Sequence, residues 1–293
     1  MVKTLTDDQI TQVLQGISIP PQPQIMVDLQ MEQISSDCSI NRIAALISQD
    51  VGLSGSILKT INSPFYGLKN KITSIQQACN LMGINSVVNI VNALSIRGEL
   101  SDENITSLNK FWDSAMDIAM ACTTIAKQIG MNAPDEAYTL GLFHNCGIPL
   151  LMLRFDNYAA VMADSYNCEG RRIVDTENDE LSTNHAVVGY YIAKSWNLPS
   201  HISEAIAEHH STAEIFADND YRKAEKKTLL AILKIAEHIC ASHKTLANQD
   251  IDYEWNSLED NILLYLGLSS YDLQAIHENC YELGFAANDY CGQ

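Results

Sequence analysis

The chain of 293 residues is long enough for two domains or for one large helical unit. Its 46% hydrophobic and 18% charged residues, with only 14 glycines and 7 prolines, exclude a disordered or fibrous chain. Its 36 acidic residues against 18 lysines and arginines give a formal net charge of -18, which disfavours nucleic acid and anionic membranes as partners because both attract basic proteins.

Apolar residues recur at helical spacing along most of the chain. A first helix is expected before the prolines at positions 20, 21 and 23, since each proline fixes its own φ and restricts the residue before it. Further apolar stripes follow in chain order, at Leu53, Ile57, Leu58 and Ile61; at Ile75, Ala78, Cys79 and Met82; at Val87, Val88, Val91 and Leu94; from Phe111 to Ile129, ending at Gly130; and at Leu229, Leu233, Ala236 and Ile239. No segment alternates apolar and polar residues and then meets a hairpin turn, so the sequence predicts an all-α, multi-helical fold.

Start and break signals divide this helical chain. Helix starts are predicted at Pro134, which two acidic residues follow, and at Ser257, which has Asp260 three residues later. Polar or charged breaks are predicted at residues 97–104 and 218–227. The predicted organisation is bilobal, with an N-terminal helical lobe over residues 1–105, an HD-like second lobe over 106–215, and a C-terminal helical extension over 216–293 that packs on the second lobe.

The sequence contains no recognisable targeting or membrane segment. The opening MVKTLTDDQI lacks an apolar core, and the apolar run 148–153 is far shorter than the ~18 residues that a membrane helix needs. We therefore expect a cytoplasmic protein. Eight cysteines without a CxxC pair predict reduced thiols and no cysteine zinc site, with a redox-responsive scaffold that uses exposed thiols such as Cys291 as an alternative.

Four histidines of the second lobe are candidates for a functional site. His144 lies in LFHNCG, His185 begins HAVVGYYIAKSWNLP, and His209 with His210 ends HISEAIAEHH. Because His185 and His209 each extend an apolar helix face, these side chains are expected to point inward. A single inward histidine is typically a core residue bonded to the backbone, so none of them indicates a site by itself.

In their order along the chain, these motifs resemble a known family. TLGLFHNCGIPLL is similar to the HD signature of metal-dependent phosphohydrolases, and a His-x3-Gly, a double histidine and a late carboxylate, Glu237, follow it. The N-terminal lobe narrows the resemblance to the HDOD family, the HD-related output domains of bacterial signalling proteins. The resemblance runs from about Ile17 to His210, and its most diagnostic residues are Asn62-Ser63, Tyr66-Gly67, Ile72 to Ser74 and Leu81-Met82-Gly83.

The metal-ligand positions of HD proteins can be matched to this chain one by one, and two of them hold a residue of a different chemical type. In a metal-bearing HD protein the first ligand is a histidine after an aromatic pair, where this chain has Ser114, and the HD pair ends in an aspartate, where it has Asn145. The remaining ligand positions are matched by His144, His185, His209 and His210, and by Glu237 in place of the final aspartate. No GYP tripeptide follows the double histidine, so the resemblance does not extend to the HD-GYP phosphodiesterases.

The two departures argue against a two-metal centre. Two divalent ions ~3.5 to 4 Å apart repel each other by a free energy on the order of 18 kcal/mol at an effective dielectric constant of about 20. A bridging carboxylate offsets this repulsion, whereas Asn145 offers a neutral oxygen and Ser114 a hydroxyl. No cofactor is expected, and the option left open is a single divalent metal held by His144, His185, His209 or His210, and Glu237.

Other motifs give little additional information about function. GxGxxG, GxxxxGK[ST], HExxH and GxSxG are all missing from the sequence. The segment formed by Asn62, Ser63, Tyr66 and Gly67 is interpreted either as a loop that faces a partner or couples the lobes, or as a turn in which Asn62 caps backbone groups.

The sequence therefore predicts a non-enzymatic regulatory module that binds signalling proteins in trans and carries a vestigial HD pocket. Neither the identity of these partners nor the oligomeric state follows from the sequence. The alternative is a metal-dependent phosphohydrolase that acts on a nucleotide or cyclic dinucleotide, in which the residual histidines and Glu237 hold one ion.

Overall fold

The fold is known from a computed structural model that describes residues 10–286 except 11, 21, 64–65, 70, 89, 92–104 and 218–223. For Val51 and residues 105–110 only the backbone is described. In these residues sixteen helices have defined bounds and no strand occurs, which confirms the predicted all-α fold.

The helices are numbered here in chain order. The first four are α1 Gln24–Ile34, α2 Ile40–Ser48, α3 Val51–Ile61 and α4 Ile75–Met82. The next six are α5 Ile105–Gln128, α6 Pro134–Phe143, α7 Ile148–Arg154, α8 Tyr158–Tyr166, α9 Ile173–Leu181 and α10 His185–Ser195. The last six are α11 Ser200–Glu208, α12 Thr212–Ala217, α13 Ala224–Ile239, α14 Ser242–Ala247, α15 Tyr253–Leu266 and α16 Ser270–Glu282.

Side-chain caps determine where several helices begin. Capping oxygens accept a hydrogen bond from the backbone N–H three residues later at Ser39, Asp50, Ser74, Asn184 and Asp252. The predicted start at Pro134 is confirmed, since α6 begins there. The predicted start at Ser257 is wrong, because Asp252 caps α15 about one turn earlier.

The predicted ends and breaks are confirmed in part. Helix α5 ends at Gln128, and Gly130 follows with a φ of 75°, as expected for a glycine stop. The predicted break at 97–104 lies outside the described residues, as does Leu94 of the preceding stripe. The charged break is wrong for residues 224–227, because α13 begins at Ala224, while residues 218–223 lie outside the described part.

The chain divides into two compact units. One contains residues 21–106 and 282–284, and the other contains residues 1–20, 107–281 and 285–293. The core of the first unit comes from the first four helices and includes the fully buried side chains Met26, Leu29, Ile43, Ile47, Ile57, Ile61, Ala78 and Cys79. The prediction of three segments with boundaries near 105 and 215 stays a prediction.

Helix α13 runs through the interior of the second unit. Its buried residues form an almost uninterrupted run, Leu229, Leu230, Ala231, Ile232, Leu233, Lys234, Ile235, Ala236 and Glu237. It packs against α6, α11, α14 and α15, while α10 and α11 pack along each other. None of the described helices combines the length and the hydropathy needed to cross a bilayer.

Candidate functional site

Three histidines of the second unit meet in its interior. His185 is the first residue of α10, where the Asn184 side chain caps the helix, and His209 and His210 directly follow α11. Their exposed fractions are 0%, 0% and 3%. The close packing of α10 on α11 therefore brings residues 24 and 25 positions apart into one buried cluster.

The ring nitrogens that point at one another are all Nε2. The His185 Nε2 atom lies 3.3 Å from Nε2 of His209 and 3.1 Å from Nε2 of His210. One ligand atom from each of the three rings lies within 4.8 Å of the other two. The rings thus offer three nitrogens to one point between them.

The other nitrogen of each ring is held by an acceptor. The Nδ1 atoms lie 2.7 Å from Glu177 Oε2, 2.7 Å from the Ile206 carbonyl oxygen and 2.8 Å from Glu254 Oε1 for His185, His209 and His210, respectively. An acceptor at Nδ1 requires the proton on that nitrogen and leaves a lone pair on Nε2. Each imidazole is therefore in the tautomer that binds a cation through Nε2.

Three lone pairs that face one another repel unless a cation lies between them. Two nitrogens that bind a tetrahedral zinc ion at ~2.0 to 2.1 Å are themselves ~3.3 Å apart, close to the 3.1 and 3.3 Å separations of these nitrogens. Burial and the neighbouring His210 and Lys234 charges hold the pKa of His209 well below its ordinary value, so an extra proton is disfavoured there. The residues present therefore fit a single divalent ion.

A second group of side chains lies beside these histidines. His144 directly follows α6, and its Nδ1 lies 2.7 Å from the Gly141 carbonyl oxygen, which accepts the proton on Nδ1. The His144 Nε2 atom is 3.3 Å from Glu237 Oε1 on α13. The neighbouring Asn145 Oδ1 is buried and has no hydrogen-bond partner among the described residues.

A buried lysine, which the sequence did not single out, completes the pocket. The Lys234 ammonium lies 2.8 Å from Glu237 Oε2 and 2.8 Å from Glu254 Oε2, and the residue is 3% exposed. Burial lowers the pKa of this ammonium, but the two carboxylates outweigh it, so the pKa is raised above the ordinary value. The available signal was its position inside the apolar run LLAILKIAEHI, where a charge needs a partner.

Two glutamates that the sequence did not identify hold histidine rings of the cluster in place. Glu177 accepts hydrogen bonds from the Tyr158 hydroxyl at 2.6 Å and from the His185 backbone N–H at 3.2 Å, besides its contact with the ring. Glu254, on α15, joins His210 to Lys234. Each acts through a pairing with a residue on another helix, which helical spacing in the sequence does not reveal.

The predicted pocket residues therefore fall into three groups. His185, His209 and His210 form the buried cluster, and His144 faces Glu237 beside it. Asn145 follows His144 in the chain and is buried. Ser114 is buried on α5, and none of the contacts of the histidine ring nitrogens involves it. Of the four residues predicted to share one ion, His144 lies 3.3 Å from Glu237 and His185 lies 3.3 Å from His209. The His144 and His209 rings join the two pairs, with centroids 5.4 Å apart.

The predicted interaction loop lies in the other unit. The Asn62 amide donates hydrogen bonds from Nδ2 to the carbonyl oxygens of Leu58 and Ile72, both at 2.8 Å, and its Oδ1 accepts one from the Ile72 N–H at 2.7 Å. Gly67 has a φ of 56°, and burial raises the pKa of Tyr66 to about 12. The Asn62 side chain, next to Ser63, therefore joins backbone groups on both sides of the turn. Contact of this loop with a partner protein stays a prediction.

The cysteines in the described part of the chain are unpaired. Free thiols occur at Cys38, Cys79, Cys122, Cys146, Cys168, Cys240 and Cys280, while Cys291 lies outside the described residues. Burial raises the pKa of Cys146 to about 12. Such a thiol is a poor nucleophile at neutral pH.

The chain resembles known proteins both in sequence and in structure. A sequence model of the HDOD domain matches residues 19–212. An uncharacterized protein of Treponema pallidum (strain Nichols) is 26% identical over 199 residues, which are 66% of this chain and 38% of that protein. The chain spans 38% and 28% of the lengths of the two curated relatives that it matches.

Solved structures share the helical arrangement. A proposed phosphohydrolase from Shewanella amazonensis SB2B has a TM-score of 0.65 at 23% identity, with 93% of this chain and 94% of that chain covered. A proposed signal transduction protein from Marinobacter aquaeolei VT8 has a TM-score of 0.64 at 15% identity, with coverage of 92% and 58%. At these identities the likeness concerns the fold.

Proposed function

The chain belongs to the HDOD domain family, and from this premise we propose that it is a regulatory module of signal transduction that binds a partner protein and hydrolyses no phosphate ester. The pocket that resembles an HD site is proposed to hold one divalent ion. The ion stabilises the fold and is not a catalyst.

The state of Glu237 is the observation that carries this proposal. By resemblance, this residue stands where a phosphohydrolase has its final metal-binding carboxylate, yet one of its oxygens pairs with the Lys234 ammonium at 2.8 Å. Ser114 and Asn145 add no negative charge at the other two altered positions. The pocket therefore lacks the anionic oxygen that bridges two ions in a hydrolytic centre.

Burial of the histidines supports the same proposal. A phosphate ester that reaches a metal ion must also approach the ligands of that ion. His144, His185, His209 and His210 expose 1%, 0%, 0% and 3% of their surfaces. Burial of this kind keeps a phosphate ester away from an ion at the three Nε2 atoms, even though three protein ligands leave a tetrahedral ion one open position.

His185, His209 and His210 are the residues proposed to hold the ion, which would supply two positive charges at their Nε2 atoms. Glu177, the Ile206 carbonyl oxygen and Glu254 orient the three rings through their Nδ1 atoms. Imidazole ligands suit zinc, copper, iron and nickel, and the separations between these nitrogens match tetrahedral zinc. Bound in this way, the ion would tie the start of α10 to the end of α11.

The same three nitrogens favour a second candidate function, a phosphohydrolase that acts on a nucleotide or cyclic dinucleotide. In that case His144, whose Nε2 faces Glu237 at 3.3 Å, would be the residue placed to move a proton. This function requires the pocket to open, since all four histidines are buried.

A hydrolysis assay on the full chain tests the proposal. Purified protein loaded separately with Mn²⁺, Fe²⁺ or Zn²⁺ would be mixed with nucleoside phosphates and with cyclic dinucleotides. We expect no turnover above that of the His185→Ala variant. Turnover by the unmodified chain that disappears in both His144→Ala and His185→Ala would contradict the proposal and establish the hydrolase.

The proposed partner is a protein that acts in trans. A formal net charge of -18 opposes binding to nucleic acid and to anionic membranes, since both would add like charge to the complex. The acidic surface would speed encounter with a basic partner without deciding which partner binds.

A further inference from the structure

We propose that the Lys234 ammonium is a built-in cation that takes the place of a second ion, so that the pocket accepts one divalent ion and not two. The proposal deepens the function proposed above, because it rests on the ion at the three histidines.

The position of Lys234 between two carboxylates supports this role. Its Nζ atom lies 2.8 Å from Glu237 and 2.8 Å from Glu254, and 3.5 Å from His210 Nδ1. The two carboxylates come from α13 and α15, so the ammonium is fixed from two helices. The ammonium thus offsets the negative charge of both carboxylates, and the lysine is almost inaccessible to solvent.

The residues around Lys234 form an incomplete second ligand set. His144 Nε2 and Glu237 Oε1 face each other at 3.3 Å, and the buried Asn145 Oδ1 has no hydrogen-bond partner among the described residues. An imidazole nitrogen and a carboxylate oxygen are both ligands that divalent ions accept in proteins. However, Glu237 already shares its charge with Lys234, and a second ion would meet the ammonium at close range.

The balance of charges in the pocket also favours one divalent ion over two. Three carboxylates contact the histidines or Lys234: those of the buried Glu177 and Glu237 and that of Glu254, which is partly exposed. One ammonium and one divalent ion together neutralise these three negative charges. A second divalent ion beside the ammonium would leave two net positive charges in this site, whereas two divalent ions without the ammonium would leave only one.

Metal counting on three forms of the full chain tests the proposal. The wild type, Lys234→Ala and Lys234→Arg would be stripped with chelator, dialysed against Zn²⁺ at neutral pH and analysed by atomic emission. We expect one pocket ion per chain in the wild type, two in Lys234→Ala and one in Lys234→Arg, which keeps the positive charge. The double variant His144→Ala, Lys234→Ala should return to one ion, since it removes a ligand of the new site.

Several outcomes would overturn the proposal. Two pocket ions in the wild type contradict it whatever the variants do, and so does an unchanged count in a folded Lys234→Ala variant. If Lys234→Ala unfolds in chelator, Zn²⁺ should restore its thermal transition, and failure to do so counts against the proposal. These outcomes are distinct from phosphate ester turnover, which tests the proposed function.

Discussion

Glu177 orients the His185 ring and is the residue on which the geometry of the proposed ion site most depends. In Glu177→Gln the amide oxygen can replace one carboxylate oxygen, but the charge that makes His185 a strong ligand is lost. We expect Zn²⁺ to bind about 10- to 100-fold more weakly, as measured by competition with a chromophoric chelator.

Glu180→Gln is the matched control for that change. Glu180 lies on the same helix, α9, and is exposed, so its substitution should leave zinc affinity unchanged. Equal affinities of the Glu177 and Glu180 variants would show that Glu177 does not position the ring.

Asp252 gives the stability of the fold a dependence on pH. Burial raises the pKa of this carboxyl, but the hydrogen bond with His238 and the close approach of the His243 ring outweigh burial, so the pKa lies below its ordinary value. The unfolded chain therefore takes up this proton at a higher pH than the folded chain. The stabilisation is present above about pH 4, and it is lost as the pH falls from there toward the folded pKa.

The Asp252→Asn variant should show this directly. Asparagine keeps the cap of α15 but carries no charge. Between pH 7 and pH 3.5, we expect the free energy of unfolding in urea to fall by about 1 kcal/mol more in the wild type than in the variant. If the free energy of unfolding falls equally with pH in both proteins, Asp252 is not the source of this pH dependence.

At the scale of helices, a glycine permits the contact between α7 and α10. A Cβ atom at Gly147 would lie 2.1 Å from the His185 carbonyl oxygen and 2.9 Å from the Gly189 nitrogen. Since both neighbours are backbone atoms, the helices must move apart to accept it. We expect Gly147→Ala to lower the free energy of unfolding by about 2 kcal/mol or more and to weaken zinc binding through His185.

The control for this steric effect is Gly55→Ala in α3. A Cβ atom added there would meet no other heavy atom within 4 Å, and the glycine is exposed within a helix. This change should be neutral or stabilise the protein by about 0.5 to 1 kcal/mol. Similar losses in both variants would mean that the close approach at Gly147 is not the cause.

The helices could be predicted from local sequence patterns, whereas the pairing of Lys234 with its carboxylates could not. The stripe from Phe111 to Ile129 and the stop at Gly130 predict α5 because amphipathic spacing and glycine geometry are local properties. Lys234, by contrast, acquires its role from Glu254, which lies 20 residues away on another helix. Such pairings depend on how helices pack, and a single sequence does not encode them at fixed spacing.

At the scale of the whole molecule, the family match covers only part of the pocket. It ends at residue 212, whereas Lys234, Glu237 and Glu254 lie beyond it. A chain that ends at residue 212 would also lack α13, whose apolar residues fill the core of the second unit. We expect this fragment to lose its cooperative thermal transition in circular dichroism and to bind no stoichiometric Zn²⁺.

A chain that ends at residue 286 is the control for this truncation. It keeps all sixteen helices with defined bounds, so it should melt at the temperature of the full chain. A cooperative transition in the fragment that ends at residue 212 would show that the family segment folds without α13.

The Asn62 amide offers an anchor for protein engineering. Because its side chain fastens Ile72 to the end of α3, the backbone between these two residues is a closed loop with a fixed base. A foreign epitope inserted after the exposed Gly67 would lengthen this loop and leave the hydrogen bonds between Asn62 and Ile72 intact. Each doubling of the loop length costs only about 0.6 kcal/mol of closure entropy. The loop is thus a suitable place for a reporter tag that leaves the buried histidines, which belong to the other unit, untouched.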